Sequence, residues 1–234
     1  YASQRDIISH KDEYLRIPRE PEHPVWQETV SRILDYKPDF LGLSIFTANL
    51  RAAAIVAGHV RRLSPHVRIA IGGPHATLAG AAILEEIPEA DFVLSGEGEL
   101  SFPKLVSGAA PASVPGLSYR DGGRIVEGRK AAPVGDLDAL PFPDRDSFHP
   151  AGNVYESNSV MTSRGCPNNC AFCASPVIWD RKVRFRSAGN IMDELELLKG
   201  RGVRELHFCD DTFTFNKRRL MSIQIGRASC RERV

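Results

Sequence analysis

The chain has 234 residues, a formal net charge of +1, and 42% hydrophobic and 25% charged residues. A balance this close to neutral favours neither a nucleic-acid partner nor attraction to a charged membrane. No apolar run approaches the ~18 residues that a membrane span requires. The length suffices for one large domain or two modest ones, and we expect no membrane span and no nucleic-acid partner.

The first half of the chain alternates between helix and strand from residue 25 onward. Apolar residues recur at helical spacing in VWQETVSRILDYK, AAAIVAGHVRRL and ATLAGAAILEEI, and a shorter helix is predicted in ELSFPKLV. Short apolar runs predict a strand from Asp39 to Phe46, buried on both faces, and further strands from Val67 to Gly73 and from Asp91 to Gly96. This alternation indicates βαβ units and a parallel sheet. We therefore expect a Rossmann-like, doubly wound α/β domain over residues 1–135, with its first strand upstream of Tyr1.

The pattern changes after residue 108. GLSYRDGGRIVEG predicts a β-hairpin that turns at Asp121-Gly122-Gly123, and residues 136–153, rich in proline and acidic residues, predict a linker. A second β/α array is predicted over residues 154–224. It comprises a strand in VYESNSVMTS, a helix in SAGNIMDELELLKGRG capped by Ser187 or Asn190, and a strand from Val203 to Asp211.

The last ten residues, IGRASCRERV (225–234), lack apolar periodicity and match the read-through translation of a common sequencing-library adapter. We interpret them as an artefact and exclude them from the fold. The chain opens at Tyr1 without a methionine and the second array stops after two predicted strands, so we expect a fragment that is truncated at both ends and inactive on its own.

The most distinctive stretch is RGCPNNCAFC, residues 164–173, which holds three of the five cysteines in the chain. Cysteines this clustered do not resemble a disulfide framework, and they favour a reducing cytoplasm and a metal or redox role. Thiolates suit zinc, copper(I) or an iron–sulfur cluster. A closed zinc site needs a fourth ligand, for which His207 and Cys209 are candidates, whereas three thiolates alone leave one iron of a cluster open. The predicted ligands are Cys166, Cys170 and Cys173.

RGCPNNCAFC resembles the signature of the radical S-adenosylmethionine (SAM) enzymes. The resemblance implies that the three cysteines hold a 4Fe-4S cluster whose fourth iron is chelated by the amine and carboxylate of SAM. It also implies that Phe172 packs near the adenine and that a TIM-type barrel begins here. By analogy, Asp210 and Asp211 at a strand end contact SAM, with the alternative that they only cap the following turn. The implied chemistry is reductive cleavage of SAM to a 5′-deoxyadenosyl radical, with a flavodoxin or ferredoxin as the reductant.

The first half resembles the cobalamin-binding domain that precedes the barrel in one radical SAM subclass. LGLSIF, IGGPH and LSGEGE carry the resemblance, and a side chain at Gly72 or Gly73 is expected to clash with the bound nucleotide tail. The Asp-x-His-x-x-Gly loop that supplies a cobalt ligand in some cobalamin proteins has no match, so that motif lies upstream or cobalt has no protein histidine. The implied contacts are Ser44, Thr47, Gly72, Gly73, Pro74, His75, Gly96, Glu97 and Gly98.

The combined resemblance implies a cobalamin-dependent radical SAM enzyme that methylates an unactivated carbon or phosphorus centre of a small molecule or natural product. Alternatives are a ring-forming or rearranging enzyme of the same subclass, or a radical SAM enzyme whose Rossmann-like domain binds no cobalamin. A methylthiotransferase is disfavoured because it needs three further cysteines in the first domain, which has none. A non-catalytic cobalamin carrier would not need the cysteine loop.

Overall fold

The computed structural model describes residues 11–145, 147 and 158–231. Its internal contacts divide the chain into an N-terminal unit, Ala2–Val134, and a C-terminal unit, Gly135–Val234. In the part of the chain that the structure describes, none of the helices combines the length and the apolar character needed to cross a membrane.

The N-terminal unit is an α/β domain built on a five-stranded sheet in the order β1-β2-β3-β4-β5. β1 pairs with β2 and β2 with β3 in parallel, while β4 and β5 add an antiparallel hairpin. This confirms the predicted α/β class and parallel βαβ order. The strands are β1 (Phe40–Ser44), β2 (Arg68–Gly72), β3 (Phe92–Leu94), β4 (Leu117–Asp121) and β5 (Arg124–Val126), and the helices are α1 (Lys11–Arg16), α2 (Pro24–Asp35), α3 (Leu50–Leu63), α4 (Pro74–Ala79), α5 (Ala82–Glu86) and α6 (Ser101–Val106).

The two faces of this sheet carry separate apolar clusters. α3 buries residues at i, i+3, i+4 and i+7, which form one stripe along the helix because 3.6 residues make a turn. That stripe packs in one cluster with Ile69, Ile71 and Val93 of the sheet. Ala70 and Leu94 point to the opposite face, where they cluster with Leu105 of α6. The stripe of α3 consists of Ala53, Val56, Ala57 and Val60.

The expectation that β1 is buried on both faces is wrong. Leu41 and Leu43 pack against the larger cluster, but Gly42 and Ser44 are exposed. That face also carries Phe40, which packs against the smaller cluster, but the next two residues on it, Gly42 and Ser44, are too small to cover the strand. The carboxyl end of this face of β1 is therefore open.

The C-terminal unit contains two small two-stranded sheets. β6 pairs in parallel with β9 through Ser159↔His207 and Val160↔Phe208, and β7 pairs antiparallel with β8. The strands are β6 (Ser159–Val160), β7 (Ser163–Arg164), β8 (Arg184–Phe185) and β9 (His207–Phe208), and the helices are α7 (Ser175–Trp179), α8 (Ala188–Gly200) and α9 (Lys217–Arg231).

Several boundaries in this unit differ from their predictions. The strand predicted from Val203 onward is confined to β9, and the described part of VYESNSVMTS is divided between β6 and β7, while residues 154–157 lie outside the described residues. Ser187 is the N-cap of α8, since its side chain accepts a hydrogen bond from the Asn190 amide. α9 continues into the segment interpreted as an adapter artefact, whose last three residues lie outside the described residues.

A buried ion cluster joins the segment predicted as a linker to α8. Arg145 is 7% exposed and Glu194 is 1% exposed, and a guanidinium nitrogen of Arg145 lies 2.5 Å from one oxygen of the Glu194 carboxylate. Arg186 lies 2.5 Å from the other oxygen, and Arg145 also donates to the Ser159 carbonyl at 2.8 Å. A carboxylate this buried requires cationic partners, so the position of Arg145 is fixed within the C-terminal unit.

Replacing Arg145 with alanine should destabilise the C-terminal unit by about 3 kcal/mol, because it leaves the buried Glu194 carboxylate short of one partner. The expected measurement is a loss of hydrogen-exchange protection in the amides of α8 (Ala188–Gly200). The control is Arg32→Ala, which removes an exposed pair with Glu28 and should cost less than about 0.5 kcal/mol. Equal effects of the two substitutions would contradict this interpretation of the ion cluster.

Candidate functional site

Small residues on β1 and β2 form the floor of a cleft at the carboxyl ends of the parallel strands. The register pairs Gly42 with Ala70 and Ser44 with Gly72. Because side chains alternate between the faces of a strand, these four residues share one face, while Leu41, Leu43, Ile69 and Ile71 are directed to the larger core cluster. The floor of the cleft therefore consists of backbone, with only the methyl group of Ala70 and the hydroxymethyl group of Ser44 on it.

The cleft above this floor has a volume of about 530 Å³. Phe102 and Pro103 of α6 line it, together with Leu94 at the end of β3 and the exposed Glu99. Several of the predicted cobalamin contacts line it as well, namely Ser44, Gly72, Gly73, Gly96 and Gly98. Thr47, Pro74, His75 and Glu97 were also predicted as contacts, but they are not among its lining residues.

Gly72 and Gly73 have different physical roles. A Cβ on Gly72 would meet only the Leu94 carbonyl and side chain, at 3.9–4.0 Å, which is ordinary contact, so a larger side chain there would occupy the cleft. Gly73 has φ +96°, and its Cβ would lie 2.8 Å from the Ile45 amide nitrogen. That conformation is accessible almost only to glycine. A side chain at Gly73 would therefore clash with the backbone of the protein itself, whether or not it also meets a bound nucleotide tail as predicted.

The remaining predicted contacts surround the turns that follow β1, β2 and β3. The Thr47 hydroxyl and the His75 Nδ1 are 2.9 Å apart, and the His75 amide donates to the Ile45 carbonyl at 3.0 Å. Pro74 is the first residue of α4. Glu97 accepts a hydrogen bond from the Val134 amide at 2.5 Å, so its carboxylate fixes a neighbouring loop.

The sequence interpretation missed Gly42, Ala70 and Phe102 as lining residues. A signal was present for the first two, since FLGLS and RIAIG both alternate large and small residues. Alternation of that kind indicates one packed face and one bare face. Phe102 reaches the cleft from α6, and its ring would lie 3.5 Å from a Cβ on Gly42. This long-range approach has no signal in the sequence.

The cysteine loop begins directly after β7. Gly165 has φ +99°, and a Cβ there would collide with the carbonyl oxygen of Lys182, so only glycine fits before Cys166. Cys166 is partly buried, whereas Cys170 and Cys173 are exposed, and the Cys173 amide closes a turn by donating to the Cys170 carbonyl at 3.1 Å. The side chain of Phe172 is 93% exposed.

Hydrogen-bond donors are directed at two of the cysteine sulfurs. The Thr212 hydroxyl lies 3.1 Å from the Cys166 sulfur, and the Asn168 side-chain amide donates to the same sulfur at 3.5 Å. The Ser175 amide donates to the Cys173 sulfur at 3.4 Å. The hydrogen bond with Thr212, followed by one from the Asn168 backbone, lowers the pKa of the Cys166 thiol below its ordinary value. These contacts favour the thiolate, the form that ligates metals.

Asp210 and Asp211 bind the segment that leads into the cysteine loop. The Asp210 carboxylate accepts hydrogen bonds from the Thr162 amide at 3.1 Å and hydroxyl at 2.8 Å, and from the Ser163 hydroxyl. The Asp211 carboxylate accepts a hydrogen bond from the Gly165 amide at 3.1 Å. The two carboxylates therefore bind β7 and the residues on either side of it, and they do not act only on the turn that follows Asp211.

The residue types of the cysteine loop suit a metal cluster, although the side chains of the described residues are not grouped as in a formed metal site. Cys166, Cys170, Cys173 and Cys209 are free thiols. Within residues 11–145, 147 and 158–231, no three histidine, cysteine, aspartate or glutamate side chains are grouped closely enough to hold a metal ion. Neither His207 nor Cys209 thus joins the loop cysteines in a preformed zinc site. What fits a cluster is the chemistry of the loop, which places three thiols on one short segment, two of them accepting hydrogen bonds from nearby amides.

Two family models match the chain, one in each unit. Residues 10–106 match the B12 binding domain, and residues 160–228 match the Radical SAM superfamily. The first match contains the floor of the cleft, and the second contains the cysteine loop.

Two known methyltransferases resemble the chain over most of its length. An uncharacterized methyltransferase of Pyrococcus horikoshii is 33% identical over 82% of this chain and 44% of that protein. The cobalamin-dependent radical SAM methyltransferase TokK of Streptomyces tokunonensis is 28% identical over 88% of this chain and 32% of that protein. The chain therefore spans less than half the length of these relatives.

A solved structure shares the fold. The cobalamin-dependent S-adenosylmethionine radical enzyme OxsB, with aqua-cobalamin and S-adenosylmethionine bound, superposes with a TM-score of 0.65 at 20% identity, over 86% of this chain and 30% of that one. With a B12-binding domain, a radical SAM domain and relatives that combine the two, the chain belongs to the cobalamin-binding-domain-containing radical SAM enzymes, whose cofactors are cobalamin, S-adenosylmethionine and a 4Fe-4S cluster.

Proposed function

We propose that this chain is part of a cobalamin-dependent radical SAM methyltransferase that acts on an unactivated carbon or phosphorus centre of a small molecule. The observation that carries the proposal is the pairing, on one chain, of a cleft with a floor of small residues at strand ends and a three-thiol loop, two of whose sulfurs accept hydrogen bonds. The two relatives described above bear methyltransferase names, which supports methyl transfer.

In this proposal Cys166, Cys170 and Cys173 hold a 4Fe-4S cluster. Three thiolates occupy three irons and leave the fourth for the amine and carboxylate of SAM. When bound, the cluster supplies the single electron that cleaves the SAM sulfonium reductively. Phe172 offers a flat apolar surface for the adenine, which its exposure of 93% leaves available. Asp210 and Asp211 stay proposed SAM contacts, although the carboxylates already bind the backbone of residues 162 and 165.

Cobalamin is proposed to lie against the floor of the cleft. Gly42 and Gly72 place no side chain over the backbone of the floor, Ala70 adds only a methyl group, and Ser44 adds a hydroxyl at the carboxyl end of β1. The hydrogen-bonded pair of Thr47 and His75 lies on the turns after β1 and β2. We propose that this pair contacts the ligand from the edge, with Pro74, Gly96, Glu97 and Gly98 shaping the surrounding loops.

We also propose a reducing, cytoplasmic setting and an electron-transfer partner such as a flavodoxin or ferredoxin. Free thiols at Cys166, Cys170, Cys173 and Cys209 support a reducing compartment. The exposure of Cys170 and Cys173 leaves the loop open to a protein that delivers one electron.

Alanine at any of the three loop cysteines should abolish the cluster. Anaerobic reconstitution of the parent protein is expected to give about four irons per chain with the absorbance of a cysteine-ligated cubane, measured by iron assay and visible spectroscopy. Cys170 and Cys173 are exposed, so their substitution should leave the far-UV circular dichroism unchanged. Cys209→Ala is the control and should keep the cluster. Loss of iron from Cys209→Ala, or zinc as the metal found, would overturn the assignment.

Valine at Gly42 or Gly72 should weaken cobalamin binding by at least about tenfold, or about 1.4 kcal/mol, because either side chain would occupy the cleft. A Cβ would lie at ordinary contact distance from its neighbours at both positions, 3.5 Å from the Phe102 ring at Gly42 and 3.9 Å from the Leu94 carbonyl at Gly72, so the melting temperature should change less than in Gly73→Val. Gly73→Val should instead lower the melting temperature, because it forces a strained backbone onto Ile45. Binding is measured by equilibrium dialysis and visible absorbance.

The matched control for the cleft variants is Gly135→Val, since a Cβ at Gly135 would have nothing within 4 Å. It should affect neither cobalamin binding nor stability. Unchanged affinity in both Gly42→Val and Gly72→Val would place the ligand elsewhere and favour a Rossmann-like domain that does not bind cobalamin.

Methyl transfer is tested with the native protein that contains this sequence, reduced and loaded with its cofactors. SAM with a trideuteromethyl group and a small-molecule extract should yield a trideuteromethylated product, S-adenosylhomocysteine and 5′-deoxyadenosine, followed by mass spectrometry. S-adenosylhomocysteine is expected because the methyl group leaves one SAM molecule, while a second is cleaved to the radical. Formation of 5′-deoxyadenosine without S-adenosylhomocysteine would indicate ring formation or rearrangement instead.

A further inference from the structure

The short ladder between β6 and β9 is extended by side chains toward the cysteine loop. The backbone pairing ends at Val160↔Phe208, and the Cys209 amide still donates to the Val160 carbonyl at 3.0 Å. Beyond that point three consecutive residues, 210–212, each contact the segment 162–166 through their side chains. The contacts advance in the same direction along both segments, as in the parallel ladder that precedes them.

The last of these contacts reaches the proposed cluster ligand itself. Asp210 holds Thr162, Asp211 holds the amide of Gly165, and the Thr212 hydroxyl lies 3.1 Å from the Cys166 sulfur. The Lys182 carbonyl oxygen occupies the space in which a Cβ of Gly165 would lie, so the loop passes close to residue 182 at this point. The Cys166 sulfur therefore has one hydrogen bond with its own loop, through Asn168, and one with the segment that follows β9, through Thr212.

The direction of the Thr212 hydrogen bond follows from the chemistry of a bound cluster. With a protonated thiol, either atom can be the donor. A thiolate bound to iron carries no proton, so the hydroxyl must donate. Hydrogen bonds to ionised acceptors are stronger than neutral ones, and hydrogen bonds to the sulfurs of a cluster help to set its reduction potential. A donor at Cys166 stabilises the extra negative charge of the reduced cluster.

We propose that Thr212 is a positioning residue for the cluster: its hydroxyl donates to the Cys166 thiolate, fixes this ligand against the end of β9, and makes the cluster easier to reduce. The inference rests on the proposed function, in which Cys166 ligates the cluster. It assigns to the Asp210-Asp211-Thr212 segment a role in cluster assembly that is distinct from contact with SAM.

The test compares Thr212→Val, Thr212→Ser and Thr214→Val in the reconstituted native protein. Valine has the shape of threonine without the hydroxyl, and serine keeps the hydroxyl. Thr214 is exposed, so Thr214→Val makes the same chemical change two residues further along. Iron and sulfide content report assembly, and an EPR-monitored redox titration reports the midpoint potential of the cluster. Circular dichroism verifies that each variant is folded.

Thr212→Val is expected to shift the midpoint to a more negative potential, while Thr212→Ser and Thr214→Val stay near the parent protein. Loss of iron from Thr212→Val with retention in Thr212→Ser would equally support the inference. Parental potential and iron content in Thr212→Val would overturn it, as would loss of iron from a folded Thr212→Ser. The proposed function fails separately, if the parent protein binds no cluster or Cys166→Ala retains it.

Discussion

The register of β1 against β2 is the constraint on which the N-terminal unit depends. Parallel pairing places Gly42 beside Ala70 and Ser44 beside Gly72, so four small residues lie together on the face that borders the cleft, while Leu41, Leu43, Ile69 and Ile71 pack into the larger core cluster. A slip of one residue in either strand would reverse that strand's faces. Leucine or isoleucine side chains would then fill the cleft, and the core would lose apolar contacts worth about 1.5–3 kcal/mol for each side chain. The register that packs the apolar core therefore also forms the cleft.

In the C-terminal unit, polar contacts position the loop that carries the candidate site, whereas in the N-terminal unit apolar packing of the strands does so. Its two sheets have two residues per strand, which is too little ladder to fix a loop. Glu194 lies on the buried stripe of α8 between Ile191 and Leu198, and two arginines neutralise it. The segment after β9 completes the arrangement with side-chain hydrogen bonds to the strand end opposite. This network positions the cysteine loop, and its removal would affect the loop before it affected any large apolar core.

Both candidate sites begin at a glycine that the backbone requires. Gly73 follows β2 and Gly165 follows β7, each with positive φ and with backbone of another segment where a Cβ would lie. A chain that leaves a strand and turns at once across its neighbour needs this conformation. The turn directs the next residues to the edge of the sheet, where Pro74 and His75 follow one glycine and Cys166 follows the other. In both units, the loop that carries candidate site residues therefore begins at a glycine with positive φ.

The sequence by itself determined the α/β class, the βαβ order of the N-terminal unit, and the three cysteines with their chemical type, because these follow from local periodicity, turn residues and spacing. It also contained the alternation in FLGLS and RIAIG that marks a bare face. Tertiary structure alone decided which residues share the cleft, since Phe102 reaches Gly42 across about sixty positions, and that Gly73 is needed by the backbone. It also decided that Arg145 is buried against Glu194 and that Thr212 contacts Cys166. The physical reason is that these contacts join residues 28–60 positions apart, whose meeting depends on strand pairing and helix packing and not on local preference.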